Sequence, residues 1–162
     1  MQKIILTLAV AILIAGGLWW LKYAQPQKSE TLSASAGLLK LDEEIYDFGS
    51  ISMAKGKVNH KFKITNSGTD PLKVEKIYTS CMCTEATLIL GGKSYGPYGM
   101  PGHGFVPRAD QTLAPNEEAE ILVEFDPAAH GPAGVGYIER AVIIEDDSGP
   151  IADFMIKTTV TP

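Results

Sequence analysis

Cysteine is all but missing from this chain. Among 162 residues only Cys81 and Cys83 carry a thiol, one position apart in the stretch SCMCT at 80–84. Two cysteines that close cannot tie distant parts of a fold, so the domain must rest on buried apolar surface rather than on long-range disulfides. A His-Glu-x-x-His pair and a Gly-rich phosphate-binding loop are also absent, which removes the zinc-peptidase and nucleotide-enzyme signatures. The paired acids Glu117/Glu118 and Asp146/Asp147 fall in turns or at a strand start, where solvated carboxylates belong. The chain therefore reads as a non-enzyme. Positive charge is the minority sign: residues 38–162 hold eleven basic and eighteen acidic side chains, which argues against a nucleic-acid partner.

Long apolar runs are also missing, with one exception. Residues 4–21, IILTLAVAILIAGGLWWL, contain no charge and only Thr7 as a polar side chain. As a helix they would span about 27 Å, close to the hydrocarbon thickness of a bilayer. Trp19, Trp20 and Tyr23 gather at the end of the run, where aromatic rings favour the membrane–water boundary. The run is longer than the apolar core of a signal peptide, and the one small-x-small site, Ala34-Ser35-Ala36, lies too far beyond it. The expectation is a retained transmembrane helix over residues 1–23. Lys22 and Lys28 compete with Lys3 for the cytoplasmic side, but a short amino terminus ahead of a long exported domain puts that domain outside the cytoplasmic membrane. Residues 24–37, AQPQKSETLSASAG, have the composition of a flexible linker.

Residues 38–162 read as short strands between turn signals. In 57–65, Val58, His60, Phe62 and Ile64 alternate with Lys57, Asn59, Lys61 and Lys63, so one face is buried and the other wet. Residues 118–125 alternate similarly, apart from Leu122, and Asp126-Pro127 stops them. Further strands are expected at 38–41, 45–48, 72–78, 85–90, 137–145 and 151–160. Seven or eight strands with Gly/Pro turns define an all-β, immunoglobulin-like β-sandwich. His60 falls on an apolar face and reads as a satisfied core histidine; His130, in AAHGPAG, reads as a loop residue. Six lysines crowd 55–76 while eleven acids crowd 110–153 against Arg140 alone. If those segments lay on different faces, the domain would be strongly dipolar.

Residues 91–112, GGKSYGPYGMPGHGFVPRADQT, break the rhythm with six glycines and three prolines between Gly91 and Pro107. A loop of that length is functional or disordered, and its aromatics point to a contact surface. Tyr95, Tyr98, Met100 and Phe105 are the expected partner-contact residues.

An ordered series of motifs runs through the domain: YDFGSI at 46–51, HKFKITNSGTDPL at 60–72, TSCMCT at 79–84, LAPNE at 113–117 and VEFDP at 123–127. Over about residues 42–160 the chain resembles a large family of bacterial envelope proteins that carry a domain of unknown function. The resemblance implies an immunoglobulin-like sandwich related to the Hydin-type domains and an envelope location, but no reaction. Met82 stands where the family commonly has Gly between its cysteines, and 91–112 has the look of an insertion.

Three readings of the thiols stay open. In an extended strand Cys81 and Cys83 would face the same way with Cβ atoms too far apart for a disulfide, so a bond between them needs a turn. As soft ligands they suit Cu(I), or Zn(II) with histidine added. Met82, Met100 and His103 are the candidate helpers, with Met82 on the opposite face if the segment is extended, which leaves Met100 and His103. As small hydrophobes they would simply pack. Two functions follow. The first is a membrane-anchored extracytoplasmic interaction module, or an accessory subunit of an envelope or membrane complex, that needs no cofactor. The second is a copper-handling or thiol-redox protein built on Cys81 and Cys83.

Overall fold

The computed structural model describes residues 37–162. The expected membrane helix and all of the expected linker but Gly37 lie outside the described residues.

Eleven strands make up the described domain: β1 (Leu39–Leu41), β2 (Ile45–Ser52), β3 (Val58–Asn66), β4 (Leu72–Val74), β5 (Lys76–Thr79), β6 (Thr84–Leu90), β7 (Lys93–Tyr98), β8 (Gln111–Leu113), β9 (Glu118–Phe125), β10 (Gly136–Glu145) and β11 (Pro150–Thr161). A five-stranded sheet runs in the order β1-β3-β9-β6-β7 and a four-stranded sheet in the order β2-β11-β10-β5, with β4 and β8 forming a separate ribbon. The two large sheets bury their apolar faces against each other. Phe62 of β3 meets Phe154 of β11 with ring centroids 4.4 Å apart, in a core that includes Ile64, Ile121, Val123, Ile144 and Ile156. The fold is an all-β, immunoglobulin-like sandwich. The alternation in β3 and β9 forms because the inward residues enter this core while their neighbours face water.

The structure corrects the strand map in two places. Residues 72–78 are two strands, not one. Between them Glu75 donates its N–H to Glu145 O at 2.8 Å and accepts the Ala109 N–H at 2.9 Å, so β4 leaves with β8 while β5 joins β10. The supposed loop at 91–112 contains two strands. Gly91-Gly92, at φ 57° and 76°, is the two-residue turn of the β6–β7 hairpin, since Leu90 pairs with Lys93. Strand β7 then delivers Tyr98 into the core at 1% exposure. Gly96 permits that approach: its φ is +119°, and a Cβ there would sit 3.1 Å from both Ala86 O and the Tyr98 ring. Only 99–110 remains irregular.

The two charge runs meet in part: Lys57, Lys61 and Lys63 lie beside Glu118, Glu120 and Glu124 on the outer face of one sheet, because β3 pairs with β9. Lys57 meets Glu124 at 2.6 Å, Lys61 meets Glu120 at 2.8 Å and Lys63 meets Glu118 at 3.3 Å, a diagonal cross-strand ladder that cancels locally. His60 is half-buried and satisfied, stacked on Tyr46 with centroids 3.5 Å apart and its Nε2 2.9 Å from Glu43.

A candidate thiol centre between the two sheets

Strand β5 ends at Thr79 in one sheet and β6 begins at Thr84 in the other. Residues 80–83 carry the chain across, and the crossing is a tight turn: Thr84 donates its N–H to Cys81 O at 3.1 Å. Both sheets pin it. Ser80 exchanges bonds with Ala141 of β10, its N–H reaching Ala141 O at 3.0 Å and its Oγ accepting the Ala141 N–H at 2.9 Å. Cys83 O accepts the Asp126 N–H at 2.8 Å from the end of β9. The buried Thr79 hydroxyl lies 3.0 Å from Cys81 O and 2.9 Å from Thr84 O, a brace beneath the turn. An extended strand would hold the sulfurs apart, whereas the turn sets them 2.8 Å from each other, with the Cys83 thiol donating to Cys81 Sγ.

Two more side chains reach this pair. After β9, Asp126 Oδ1 caps the Ala128 N–H at 2.8 Å and Gly131 donates to Ala128 O at 2.9 Å, turning the chain into a single 3-10 turn at Gly131–Gly134. His130 stands at the head of that turn, and its Nε2 lies 3.2 Å from Cys81 Sγ. From the partly buried Arg140 on β10, Nε donates to Cys83 Sγ at 3.2 Å, and Nη1 donates to Glu139 O at 2.7 Å, which holds the guanidinium in place. Cys81, Cys83 and His130 thus present three ligand atoms within 4.8 Å of one another. Cys83 is buried, Cys81 partly exposed and His130 exposed, so the cluster opens to solvent on the Cys81 side.

The two thiols are inequivalent. Burial pushes Cys81 up, but the hydrogen bonds from Cys83 and His130 and the charge of Arg140 outweigh it, bringing this thiol down to about 7. Burial and the neighbouring Cys81 raise Cys83, against the opposing pull of Arg140 and Thr84. Beside Cys83 a cavity of about 300 Å³ is lined by Met82, Ala129, Lys57 and the carboxylates of Glu85, Glu124 and Asp126.

The structure unites Cys81 and Cys83 and brings His130 to them in place of the expected His103. His103 stands outside the donor cluster, donating its backbone N–H to Met100 O at 3.2 Å in a local turn of the 99–110 segment. His130 takes its place because β9 is the sheet neighbour of β6, so the loop leaving β9 passes over the turn entering β6. Nothing in AAHGPAG announces this. Arg140 did carry a signal, as the lone base among eleven acids in 110–153. Of the expected contact residues Tyr98 is corrected to a core residue, and Tyr95 packs partly buried against the core. Phe105, at 92% exposure, is the large apolar side chain left in open solvent on that segment.

Fold and site together define an immunoglobulin-like sandwich carrying a dithiol–imidazole cluster where the chain crosses between sheets. Residues 39–90 match the family described as "Protein of unknown function (DUF1573)", which bears out the resemblance over that stretch. The match runs from the first residue of β1 to the last of β6, so it includes the thiol turn and leaves out His130 and Arg140. No curated protein matches the sequence. A protein of unknown function from Porphyromonas gingivalis W83 aligns at 16% identity and a TM-score of 0.51, covering 82% of this chain and 51% of that one. A family 123 glycoside hydrolase from Clostridium perfringens aligns at 7% identity and a TM-score of 0.51, covering 73% of this chain and 23% of that one. The chain thus spans about half the length of the first and under a quarter of the second. At these identities the likeness is one of fold, and none of the hydrolase's chemistry carries over.

Proposed function

We propose that the chain is a membrane-anchored, extracytoplasmic β-sandwich that binds a soft metal ion of the Cu(I) type and exchanges it with a partner protein of the envelope. The convergence of Cys81 Sγ, Cys83 Sγ and His130 within 4.8 Å carries the reading. Thiolate and imidazole are the donors that Cu(I) prefers, and three of them fall short of the four that a closed zinc site takes. The carboxylates around the cavity beside Cys83 favour the approach of a cation. The apolar run at 4–21 supplies the anchor, and Phe105 on the 99–110 segment is the favoured partner contact.

The test is anaerobic titration of the full-length chain with Cu(I) against a chromophoric competitor. One ion per chain is expected, lost in the double variant Cys81→Ser/Cys83→Ser while the fold survives. Stoichiometric binding by that double variant would end the proposal. Fractionation and a periplasmic reporter fusion after residue 37 test the anchor, and a cytoplasmic reporter signal would reverse its orientation.

A second reading rests on the inequivalence of the thiols. As a thiolate, Cys81 attacks a partner's disulfide, forms a mixed disulfide and releases one partner thiolate. Cys83 then loses its proton and attacks Cys81 Sγ, which releases the second partner thiolate and leaves Cys81 and Cys83 joined. The partner is reduced and this chain oxidised by two electrons. A chain isolated about 2 Da lighter than its reduced mass, and binding no metal until reduced, would favour this reading.

A further inference from the structure

We infer that Arg140 is the residue that selects the charge of the bound ion, favouring a monovalent soft metal over a divalent one; this rests on the metal-binding reading above. Among the described residues Arg140 alone brings a fixed charge into hydrogen-bonding contact with a cluster sulfur, its Nε lying 3.2 Å from Cys83 Sγ. The guanidinium never titrates away under physiological conditions.

The charge count follows from the chemistry. Two thiolates and a neutral imidazole carry −2, and Arg140 brings the unloaded centre to −1. A monovalent ion then makes the centre neutral, whereas a divalent ion leaves it at +1 with a like charge beside the coordinating sulfur. Without Arg140 the order reverses, because two thiolates and a divalent ion are already neutral. Cys83 is 3% exposed, so net charge at its sulfur is poorly screened, and the neutral combination is the one the site favours. The N–H···S bond acts the same way. It occupies one side of Cys83 Sγ, which suits a low-coordinate ion better than a tetrahedral one. The carboxylates of Glu85, Glu124 and Asp126 line the neighbouring cavity, with Lys57 bonded to Glu124 at 2.6 Å. They attract cations of either charge and do not touch the sulfurs, so they set the rate of arrival more than the choice of ion.

The experiment compares Ag(I) with Cd(II), a soft monovalent and a soft divalent ion that are both redox-inert, on the full-length reduced chain, with Cu(I) and Zn(II) in parallel. The wild-type chain is expected to prefer the monovalent ion in each pair. Arg140→Gln should lower the monovalent-to-divalent affinity ratio on the order of tenfold to hundredfold, and Arg140→Lys, which keeps the charge, should hold it within about threefold. A purely structural role would weaken both ions equally and leave the ratio unchanged, which would overturn the inference while metal binding stood. A wild-type chain that binds the divalent ion as tightly as the monovalent one overturns it without any variant, so a failure of Arg140→Gln to fold does not shield it. A wild-type chain that binds none of the four ions instead sinks the metal-binding reading, and the inference with it.

Discussion

His130 Nε2 lies 3.2 Å from Cys81 Sγ across a sequence separation of 49 residues. With its hydrogen on Nε2, the ring donates to the sulfur and favours the thiolate. That bond, the one from Cys83 and the charge of Arg140 together overcome the burial of Cys81 and bring it to about 7.

The first prediction is therefore a pH profile. A thiol reacts as its thiolate, so alkylation of Cys81 should rise through a midpoint near pH 7 and level off above it. Cys83, shifted upward, should react later and more slowly. Timed iodoacetamide labelling read by peptide mass spectrometry separates the two. Replacing His130 with Ala should move the Cys81 midpoint up, toward the unperturbed 9.0. A wild-type midpoint already at that value would show that these neighbours do not act on the sulfur.

Gly134 makes a second test of the same contact. A Cβ at this buried glycine would stand 3.2 Å from His130 Cβ, tighter than an ordinary contact, so the histidine must give by a few tenths of an ångström. Gly134→Ala should displace the imidazole, slow Cys81 alkylation at pH 7 and weaken Cu(I) binding several-fold. Its cost in stability, measured by urea unfolding, should be about 1–3 kcal/mol. Unchanged Cys81 reactivity would mean that the histidine moves without consequence.

Tyr98 and Phe105 lie seven residues apart and should behave oppositely. Tyr98→Ala empties a core position and should cost about 3–5 kcal/mol. Phe105→Ala should change stability by no more than about 0.5 kcal/mol and reduce co-purification of an envelope partner. Chemical denaturation and pull-down from membranes, run on both variants, separate core from contact. A large loss of stability in Phe105→Ala would remove it from the surface.

Asn66 gives the NSG turn of the family motif a physical reason. Its buried side chain donates to Asp70 O at 2.8 Å and to Leu113 O at 3.0 Å, and its Oδ1 accepts the Gly68 N–H at 3.0 Å. Asn66→Ala strands a buried carbonyl and should cost about 1–3 kcal/mol, with Asn66→Asp no substitute because a carboxylate cannot donate. Thermal melts of the two variants check this; full stability in Asn66→Asp would contradict the bond directions.

Much of the sandwich was legible because period-two alternation is a local consequence of one wet and one dry face. Val58 to Ile64 and Ala119 to Phe125 show it directly. The break at Glu75 was hidden, since its backbone bonds go to Glu145 and Ala109, far along the chain. The Gly91-Gly92 turn was visible in principle as a two-residue hairpin signal, but glycine-rich surroundings masked it. Tyr98 in the core could not be read, because its inward course depends on the conformation of Gly96 and the position of Ala86 on the neighbouring strand.

By itself the sequence determined that residues 38–162 would be a β-sandwich, that its thiols would sit together between two strands, and that no other cysteine would reach them. These are properties of neighbouring residues. Tertiary structure alone decided what the thiols can do. Strand order places the loop after β9 and the middle of β10 against the β5–β6 crossing, so His130 and Arg140 reach sulfurs that they adjoin only in space. The same fold laid the lysines of β3 beside the glutamates of β9 and paired off part of a charge asymmetry that looked strong along the chain. Hydrogen bonding and electrostatics act through a few ångströms of space, and only the folded chain sets those distances.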